Sequence, residues 1–163
     1  MRICFVRHGE RHDDADPSDP PLTEAGQNMA RFAGRWLAQF GVAPTLILRT
    51  RTLRTAETTQ ALISGWEEFT KGSCAAPVVT REGLPTSPDR FAKLTNDLHS
   101  THGAGDWVWV GHHPTQDFFE RLPGAREAVS ARGNFGAIYV AEVVASDWRV
   151  TAGWRGGTPP ITG

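Results

Sequence analysis

Histidine and arginine recur together at three separated places along the 163-residue chain. Arg7 and His8 follow a short apolar run near the N-terminus, the segment 49–54 contains three arginines, and His112 follows another apolar run. Arginine donates paired, charge-assisted hydrogen bonds to phosphate oxygens. A neutral imidazole can attack phosphorus and form a covalent intermediate, which divides one difficult step into two easier ones. If the three places converge, these residue types predict a site for phosphoryl transfer.

The set of candidate residues contains more side chains than one such site needs. Its basic members are Arg7, His8, Arg49, Arg51, Arg54, His112 and His113, and its acids are Glu10 and Glu82. Arg-His-Gly directly after a strand favours His8 as the nucleophile over a histidine that merely caps the strand. A protonated second histidine, His112, could stabilise the oxygens of the transferred group. Arg54 could instead be a surface residue of a helix, and Arg49 and Arg51 are assigned to the periphery of the set.

Short apolar runs alternate with helical periodicities, and this pattern predicts the elements that position the candidates. Strands are predicted at 3–6, 45–48, 77–80 and 107–110, followed by an antiparallel pair at 137–144 and 148–154. Helices are predicted from an N-cap at Thr23 to Phe40, over 52–63, from Pro88 through Leu98, and over 114–122. The alternation favours the α/β class with a mostly parallel sheet. We expect a single domain over residues 1–163, with an irregular tail from about residue 156.

The predicted strands bring the candidate residues to one edge of the sheet. Ligands of such sheets bind beyond the carboxyl ends of the strands. Arg7 and His8 follow the first strand, the segment 49–54 follows the second, and His112 follows the fourth. The three places are therefore predicted to meet in one crevice.

Composition excludes several classes of partner. The net charge of −1 gives no general attraction to nucleic acid or to membrane surfaces. No apolar run approaches the roughly 18 residues that a membrane span needs, and Arg7 and His8 interrupt the apolar start where a signal peptide would continue. Cys4 and Cys74 alone do not form a disulfide framework. We therefore expect a cytoplasmic protein that binds neither nucleic acid nor membrane; the oligomeric state stays open, with a monomer compatible.

Four sequence motifs resemble those of the histidine phosphatase superfamily, which has the phosphoglycerate mutase-like fold. They are Arg7-His8-Gly9, Pro21-Leu22-Thr23-Glu24-Ala25-Gly26, Arg54-Thr55-Ala56-Glu57-Thr58 and Gly111-His112-His113-Pro114. Their order and spacing are similar to the short SixA-like branch, whose members resemble phosphohistidine phosphatases. The resemblance covers about residues 2–155, and the motifs together are far more specific than Arg-His-Gly alone.

The resemblance implies a three-layer sandwich with helices on both faces of the sheet. It also implies that His8 forms a phosphohistidine intermediate and that Arg7, Arg54 and His112 complete the phosphate pocket. No metal or cofactor is implied, because side chains supply the positive charge. Glu82 is the nearest counterpart of the general acid found in mutase-like relatives, although it could equally be a surface residue after a strand.

The chain departs from the family pattern where Thr50-Arg51 replaces the usual Ser-Pro. Thr50 is expected to cap a helix through its hydroxyl group. Arg51 adds a charge that we expect to favour more acidic substrates. If Glu82 is not the general acid, the site is still compatible with a phosphohistidine substrate, because a protonated nitrogen leaves without a dedicated acid.

The leading hypothesis is a metal-independent phosphatase acting on phosphohistidine, with small phosphoesters such as sugar phosphates as the alternative substrates. The short interval between Thr58 and Trp107 predicts an open site, which disfavours a phosphoglycerate-type mutase. A metal hydrolase using His8, His12, Asp13 and His112 lacks a ligand spacing typical of metal sites. A binding module without turnover is disfavoured by the presence of both histidines and both arginines. A neutral His8 and a protonated His112 would give a bell-shaped pH dependence.

Overall fold

The computed structural model describes residues 1–13, 18–129, 134–144 and 147–157. Within them, six strands form one sheet in the order β3-β2-β4-β1-β5-β6. The strands are β1 (Arg2–Arg7), β2 (Pro44–Thr50), β3 (Val78–Arg81), β4 (Asp106–Gly111), β5 (Ile138–Val144) and β6 (Asp147–Trp154). The first four strands pair in parallel, and β5 and β6 add an antiparallel edge beside β1. The predicted α/β class with a mostly parallel sheet is confirmed.

Five helices cover the two faces of this sheet in the described part of the chain. They are α1 (Glu24–Gln39), α2 (Leu53–Thr70), α3 (Pro88–His102), α4 (His113–Phe119) and α5 (Ala125–Ala128). One apolar cluster includes Leu37 of α1 and Leu62 of α2, and the other includes Leu94 of α3 and Phe119 of α4. The helices therefore form the outer layers of a three-layer sandwich. No helix among the described residues is long and apolar enough to cross a membrane.

The central strand β1 explains why the sheet needs cover on both faces. Residues 3–6 are completely buried, because alternate side chains of a strand point to opposite faces and both faces carry helices. The boundary at Thr23 is also as predicted, since its hydroxyl accepts a hydrogen bond from the Gly26 amide at 2.9 Å. That bond satisfies one of the donors left free at the start of a helix.

The helix ends differ from the prediction at α3, which runs to His102 rather than Leu98, and at α4, which ends at Phe119 rather than at residue 122. Two other differences are larger. Helix α2 runs to Thr70, seven residues beyond the predicted end at Ile63. The indole of Trp66 donates to the Val42 carbonyl at 2.8 Å, so tertiary contact extends the helix where periodicity fades. The four-residue α5 was not predicted, because one turn is too short to show a periodicity. The predicted irregular tail lies outside the described residues from 158 onward.

Candidate active site

The carboxyl ends of three parallel strands bring the candidate residues together. Arg7, the last residue of β1, lies beside Gly111 of β4 in the strand register. The rings of His8 and His112 lie 5.2 Å apart, measured between centroids, at an angle of 64°. Arg54 lies in the first turn of α2, directly after β2. The three predicted segments therefore meet at this edge of the sheet, and we refer to the place where they meet as the crevice.

The imidazole of His8 is only 6% exposed, and its tautomer is fixed by one contact. Nδ1 lies 2.8 Å from the carbonyl oxygen of Gly9. A carbonyl can only accept, so Nδ1 carries the proton and Nε2 retains its lone pair. Burial lowers the pKa of His8 to about 3, with the nearby His112 and Arg54 acting in the same direction. The ring is therefore neutral at physiological pH.

The backbone around His8 is held by several independent contacts. The His8 amide donates to the Gly111 carbonyl at 3.0 Å, and the Gly9 amide donates to the Thr58 hydroxyl at 3.1 Å. A Cβ atom at Gly9 would lie 2.3 Å from the carbonyl oxygen of Gly26. Only glycine allows the loop after β1 to approach the start of α1 this closely. These contacts hold the nucleophile candidate in place before any ligand arrives.

Arg7 is oriented by residues that sequence reasoning did not select. Its guanidinium carbon lies 4.4 Å from the ring centroid of Phe135, and its Nη1 donates to Gln116 at 3.2 Å. Gln116 is fully buried and donates onward to Glu120 at 2.6 Å. The only sequence signal was the i,i+4 spacing of Gln116 and Glu120 on a predicted helix. Phe135 lies between predicted elements and gave no signal.

One hydrogen-bonding group of Arg54 has no partner in the part of the chain that the structure describes. Its side chain is 15% exposed, and Nη1 is 3.4 Å from a carboxylate oxygen of Asp19. Its Nε is buried and has no hydrogen-bond partner within the described residues. A buried donor without a partner lowers stability by about 1–3 kcal/mol. An anion entering the crevice would satisfy this donor, so the guanidinium is well placed to bind one.

His112 contacts the end of β2. Its Nε2 lies 2.8 Å from the Thr50 hydroxyl and 3.5 Å from the Thr52 hydroxyl. Burial lowers the pKa of His112 to about 4, and the positive charge of Arg54 acts in the same direction. The expectation of a protonated His112 is therefore wrong for the pocket as it stands. A second cation would be buried beside Arg54; Asp19 offsets this only in part, and a bound anion would favour the protonated form further.

The expectation that Thr50 caps a helix is also wrong. Thr50 ends β2, and Thr52 occupies the N-cap position of α2 without a side-chain cap bond. The Thr50 hydroxyl instead bonds the Thr55 hydroxyl at 3.1 Å and the ring of His112. The residue therefore positions the second histidine.

Glu82 and Arg51 pair with each other beyond the ends of β3 and β2. Their charged atoms lie 2.5 Å apart, and their side chains are 76% and 74% exposed. The carboxylate of Glu82 contacts neither His8 nor His112 in the described part of the chain, which favours the alternative of a surface residue. The charge of Arg51 is already partnered, so its predicted effect on acidic substrates stays a prediction.

The remaining candidates do not enter the crevice as ligands. The Glu10 carboxylate accepts from the Thr23 hydroxyl at 3.1 Å and so holds the start of α1. Arg49 donates to the carbonyl of Thr50 at 3.1 Å, and His113 pairs with Asp117 at 3.1 Å. Among the described residues, no three or more His, Cys, Asp or Glu side chains are grouped to hold a metal ion. The alternative ligand set of His8, His12, Asp13 and His112 lies within that described part.

Solved structures with similar folds extend over almost the whole chain. A provisionally assigned phosphohistidine phosphatase SixA from Agrobacterium tumefaciens has a TM-score of 0.67 and 21% identity, covering 93% of this chain and 96% of its own. A provisionally assigned SixA from Nakamurella multipartitia has a TM-score of 0.66 and 20% identity, covering 99% and 98%. At these identities the likeness concerns the fold.

Similarity in sequence covers about half of the chain. The mitochondrial serine/threonine-protein phosphatase Pgam5 of Drosophila simulans is 33% identical over 87 residues, which are 53% of this chain and 30% of that protein. The match thus spans less than a third of the length of this curated relative. The family model of the histidine phosphatase superfamily (branch 1) matches residues 3–84, half of the chain. The chain therefore belongs to the histidine phosphatase superfamily.

Proposed function

We propose that the chain hydrolyses phosphorylated substrates through a phosphohistidine intermediate on His8, without a metal ion or cofactor. The observation that carries this proposal is the neutral, buried imidazole whose Nδ1 proton is held by the Gly9 carbonyl. The free lone pair on Nε2 is what an attack on phosphorus needs. Arg7, Arg54 and His112 are proposed to surround the phosphoryl oxygens.

The proposed reaction has two steps. In the first, Nε2 of His8 forms a bond to phosphorus while the bond to the leaving group breaks, and the leaving group departs with its electron pair and takes a proton from water at the open entrance. Arg54 and Arg7 offset the charge on the equatorial oxygens. In the second step, water attacks phosphorus, the P–N bond breaks, and inorganic phosphate leaves a neutral His8.

We propose phosphohistidine on a protein as the substrate. Glu82 is exposed and paired with Arg51, so a leaving group that needs no dedicated acid suits the site better than an alcohol. The interval between Thr58 and Trp107 contains only the rest of α2, β3 and α3, and this supports an open entrance. One solved structure with a similar fold is that of the protein histidine phosphatase SixA complexed with tungstate, and it supports the choice of a phosphohistidine substrate.

Trapping the phosphoenzyme tests the proposed intermediate. Wild-type protein mixed with a radiolabelled phosphoryl donor and quenched in base should carry an acid-labile label, and His8→Ala should carry none. His99→Ala, an exposed histidine of α3, is the matched control and should label normally. A wild type that never labels, or a His8→Ala variant that labels equally, would contradict the proposal.

Two further measurements address the substrate and the metal. Catalytic efficiency toward phosphohistidine should exceed that toward sugar phosphates and other small phosphoesters, and the reverse order would favour the alternative substrates. Turnover should persist after dialysis against a chelator, because the proposed charge stabilisation comes from arginine. Loss of activity that a divalent cation restores would contradict metal independence.

A further inference from the structure

A groove of about 320 Å³ lies between the end of β3 and helix α3, outside the phosphate crevice. Its rim is basic and its floor is apolar. The rim carries Arg81, Arg90 and Lys93, and the floor is formed by Leu84, Pro85 and Leu94. The rim side chains are exposed and the floor residues are buried. We refer to these six residues as the basic groove.

The basic groove shares a wall with the crevice of His8 and His112. Arg81 pairs in register with Thr50, whose hydroxyl lies 2.8 Å from Nε2 of His112. Leu84 covers Gly111, because a Cβ atom on that glycine would lie 2.8 Å from Cδ1 of Leu84. Gly111 immediately precedes His112 in the chain. A chain segment that leaves the crevice on this side therefore enters the groove directly.

The positive charge of the groove is balanced only in part. Asp97, which also lines the groove, pairs with Lys93 at 3.1 Å. Arg81 and Arg90 form no ion pair with any described residue, so two guanidinium groups remain available at the rim. The chain as a whole has a net charge of −1, which makes this a local concentration of positive charge. Such a patch attracts acidic partners and orients them as they approach.

The size and the floor of the groove indicate what kind of anion it fits. A volume of about 320 Å³ equals roughly ten water molecules in the liquid, more than a single phosphate group fills. An apolar floor beneath a basic rim suits a peptide, whose apolar atoms can pack while its carboxylates reach the rim. A small inorganic anion would leave the floor unused.

We propose that the basic groove binds an acidic segment of the phosphorylated protein, next to the residue whose phosphoryl group enters the crevice. This inference rests on the proposed phosphatase function and narrows its substrate class to phosphoproteins with acidic flanking sequence. Arg81 and Arg90 contact the carboxylates, and Leu84 and Leu94 contact the intervening apolar atoms.

Direct binding tests the groove independently of catalysis. The probe is a fluorescent, unphosphorylated peptide with alternating acidic and apolar residues, measured in saturating inorganic phosphate so that the crevice is filled. The double variant Arg81→Gln with Arg90→Gln should bind it about five- to tenfold more weakly. The matched control, Arg126→Gln with Arg149→Gln, removes two exposed charges at the opposite end of the sheet and should bind like wild type. Arg81→Lys with Arg90→Lys should retain most of the affinity.

Turnover of two substrates shows whether the groove proposal or the proposed phosphatase function is wrong. Efficiency toward a phosphohistidine peptide with acidic flanks should fall about five- to tenfold in the Arg81→Gln, Arg90→Gln variant, while turnover of free phosphohistidine stays unchanged. High salt should reduce the preference for acidic peptides. Equal peptide binding by wild type and the groove variant would overturn the inference, as would tighter binding of pyrophosphate or single-stranded RNA than of the peptide. A wild type that binds the peptide but never turns over phosphohistidine would support the groove and contradict the proposed function.

Discussion

The imidazole of His8 has two kinds of neighbour that act together. The Gly9 carbonyl fixes one proton on Nδ1, and burial beside His112 and the arginines opposes a second proton on Nε2. An ordinary histidine is partly protonated just below neutral pH and so loses its lone pair there. His8 keeps its lone pair well into the acid range. Its surroundings therefore favour nucleophilic attack over a wide range of pH.

This neutral state predicts how stability depends on pH. The unfolded chain binds a proton at His8 near pH 6.5, whereas the folded chain does so only near 3. The unfolded state therefore holds more protons in between, and stability must fall as pH drops below about 6.5. Between pH 7 and pH 5 the wild type should lose about 2 kcal/mol more than His8→Asn. Urea unfolding at both pH values checks this, and parallel losses in the two proteins would refute it.

Two substitutions of Arg54 separate the contribution of its charge to catalysis from the contribution of its planar set of donors. Arg54→Ala removes the partly buried guanidinium and should lower catalytic efficiency by about two to three orders of magnitude. Arg54→Lys keeps the charge but not the planar fork of donors, so it should recover only part of the loss. Steady-state kinetics with one substrate measure both. The control is Arg35→Ala, which removes an exposed arginine of α1 that pairs with Glu68 of α2, and this variant should be fully active.

At the level of elements, the contact between α1 and α2 sets the position of the second arginine. A Cβ atom at Gly34 would lie 1.9 Å from the Leu62 carbonyl oxygen, and one at Gly65 would lie 2.0 Å from that of Arg31. The two helix backbones therefore touch, which only glycine at both crossing positions permits. Because Arg54 lies in the first turn of α2, this contact helps to determine how far its guanidinium reaches into the crevice.

Gly34→Ala tests the helix contact. The added methyl group must push the helices apart, and overpacking of this kind costs about 1–3 kcal/mol, more than the roughly 1 kcal/mol that alanine gains in helix propensity. The net loss in the free energy of unfolding is expected to reach about 2 kcal/mol, because the clash at 1.9 Å is with backbone rather than with a flexible side chain. Gly83→Ala is the matched control, because nothing lies within 4 Å of its added Cβ. Equal stability of the two variants in urea titrations would show that the helices are not in close contact.

At the scale of the whole molecule, positively charged groups are concentrated at the crevice, and a bound anion would stabilise the folded protein there. Among the described residues, Arg54 has a buried donor there without a hydrogen-bond partner, and burial together with the charge of Arg54 keeps His112 neutral. A ligand that binds only the folded state raises stability by an amount set by its concentration and affinity. The folded protein should therefore be more stable in phosphate than in chloride.

Thermal unfolding measures this coupling. At phosphate concentrations about one hundred times the dissociation constant, stabilisation is about 2.7 kcal/mol, or roughly 5–10 °C for a domain of this size. Chloride at the same ionic strength should give little of this shift, and Arg54→Ala should lose most of it. A shift that Arg54→Ala retains in full would place the phosphate elsewhere on the protein.

Much of the fold follows from local pattern. The apolar runs at 3–6 and 107–110 predict strands buried on both faces, and the structure confirms this. The Thr23 cap and the closing antiparallel pair were predictable for the same reason, because capping and alternation are short-range properties. The end of α2 was not, since Trp66 holds it through a contact with Val42, 24 positions away.

The sequence by itself determined which segments meet. The carboxyl ends of parallel strands lie at one edge of a sheet, so His8, the 49–54 segment and His112 had to converge once the strands were recognised. Only the tertiary structure decided what each side chain does there. The Thr50 hydroxyl contacts the ring of His112, which lies 62 positions further along the chain, and Arg51 pairs with Glu82. Protonation states were likewise beyond the sequence, because they depend on burial and on charges contributed by distant segments.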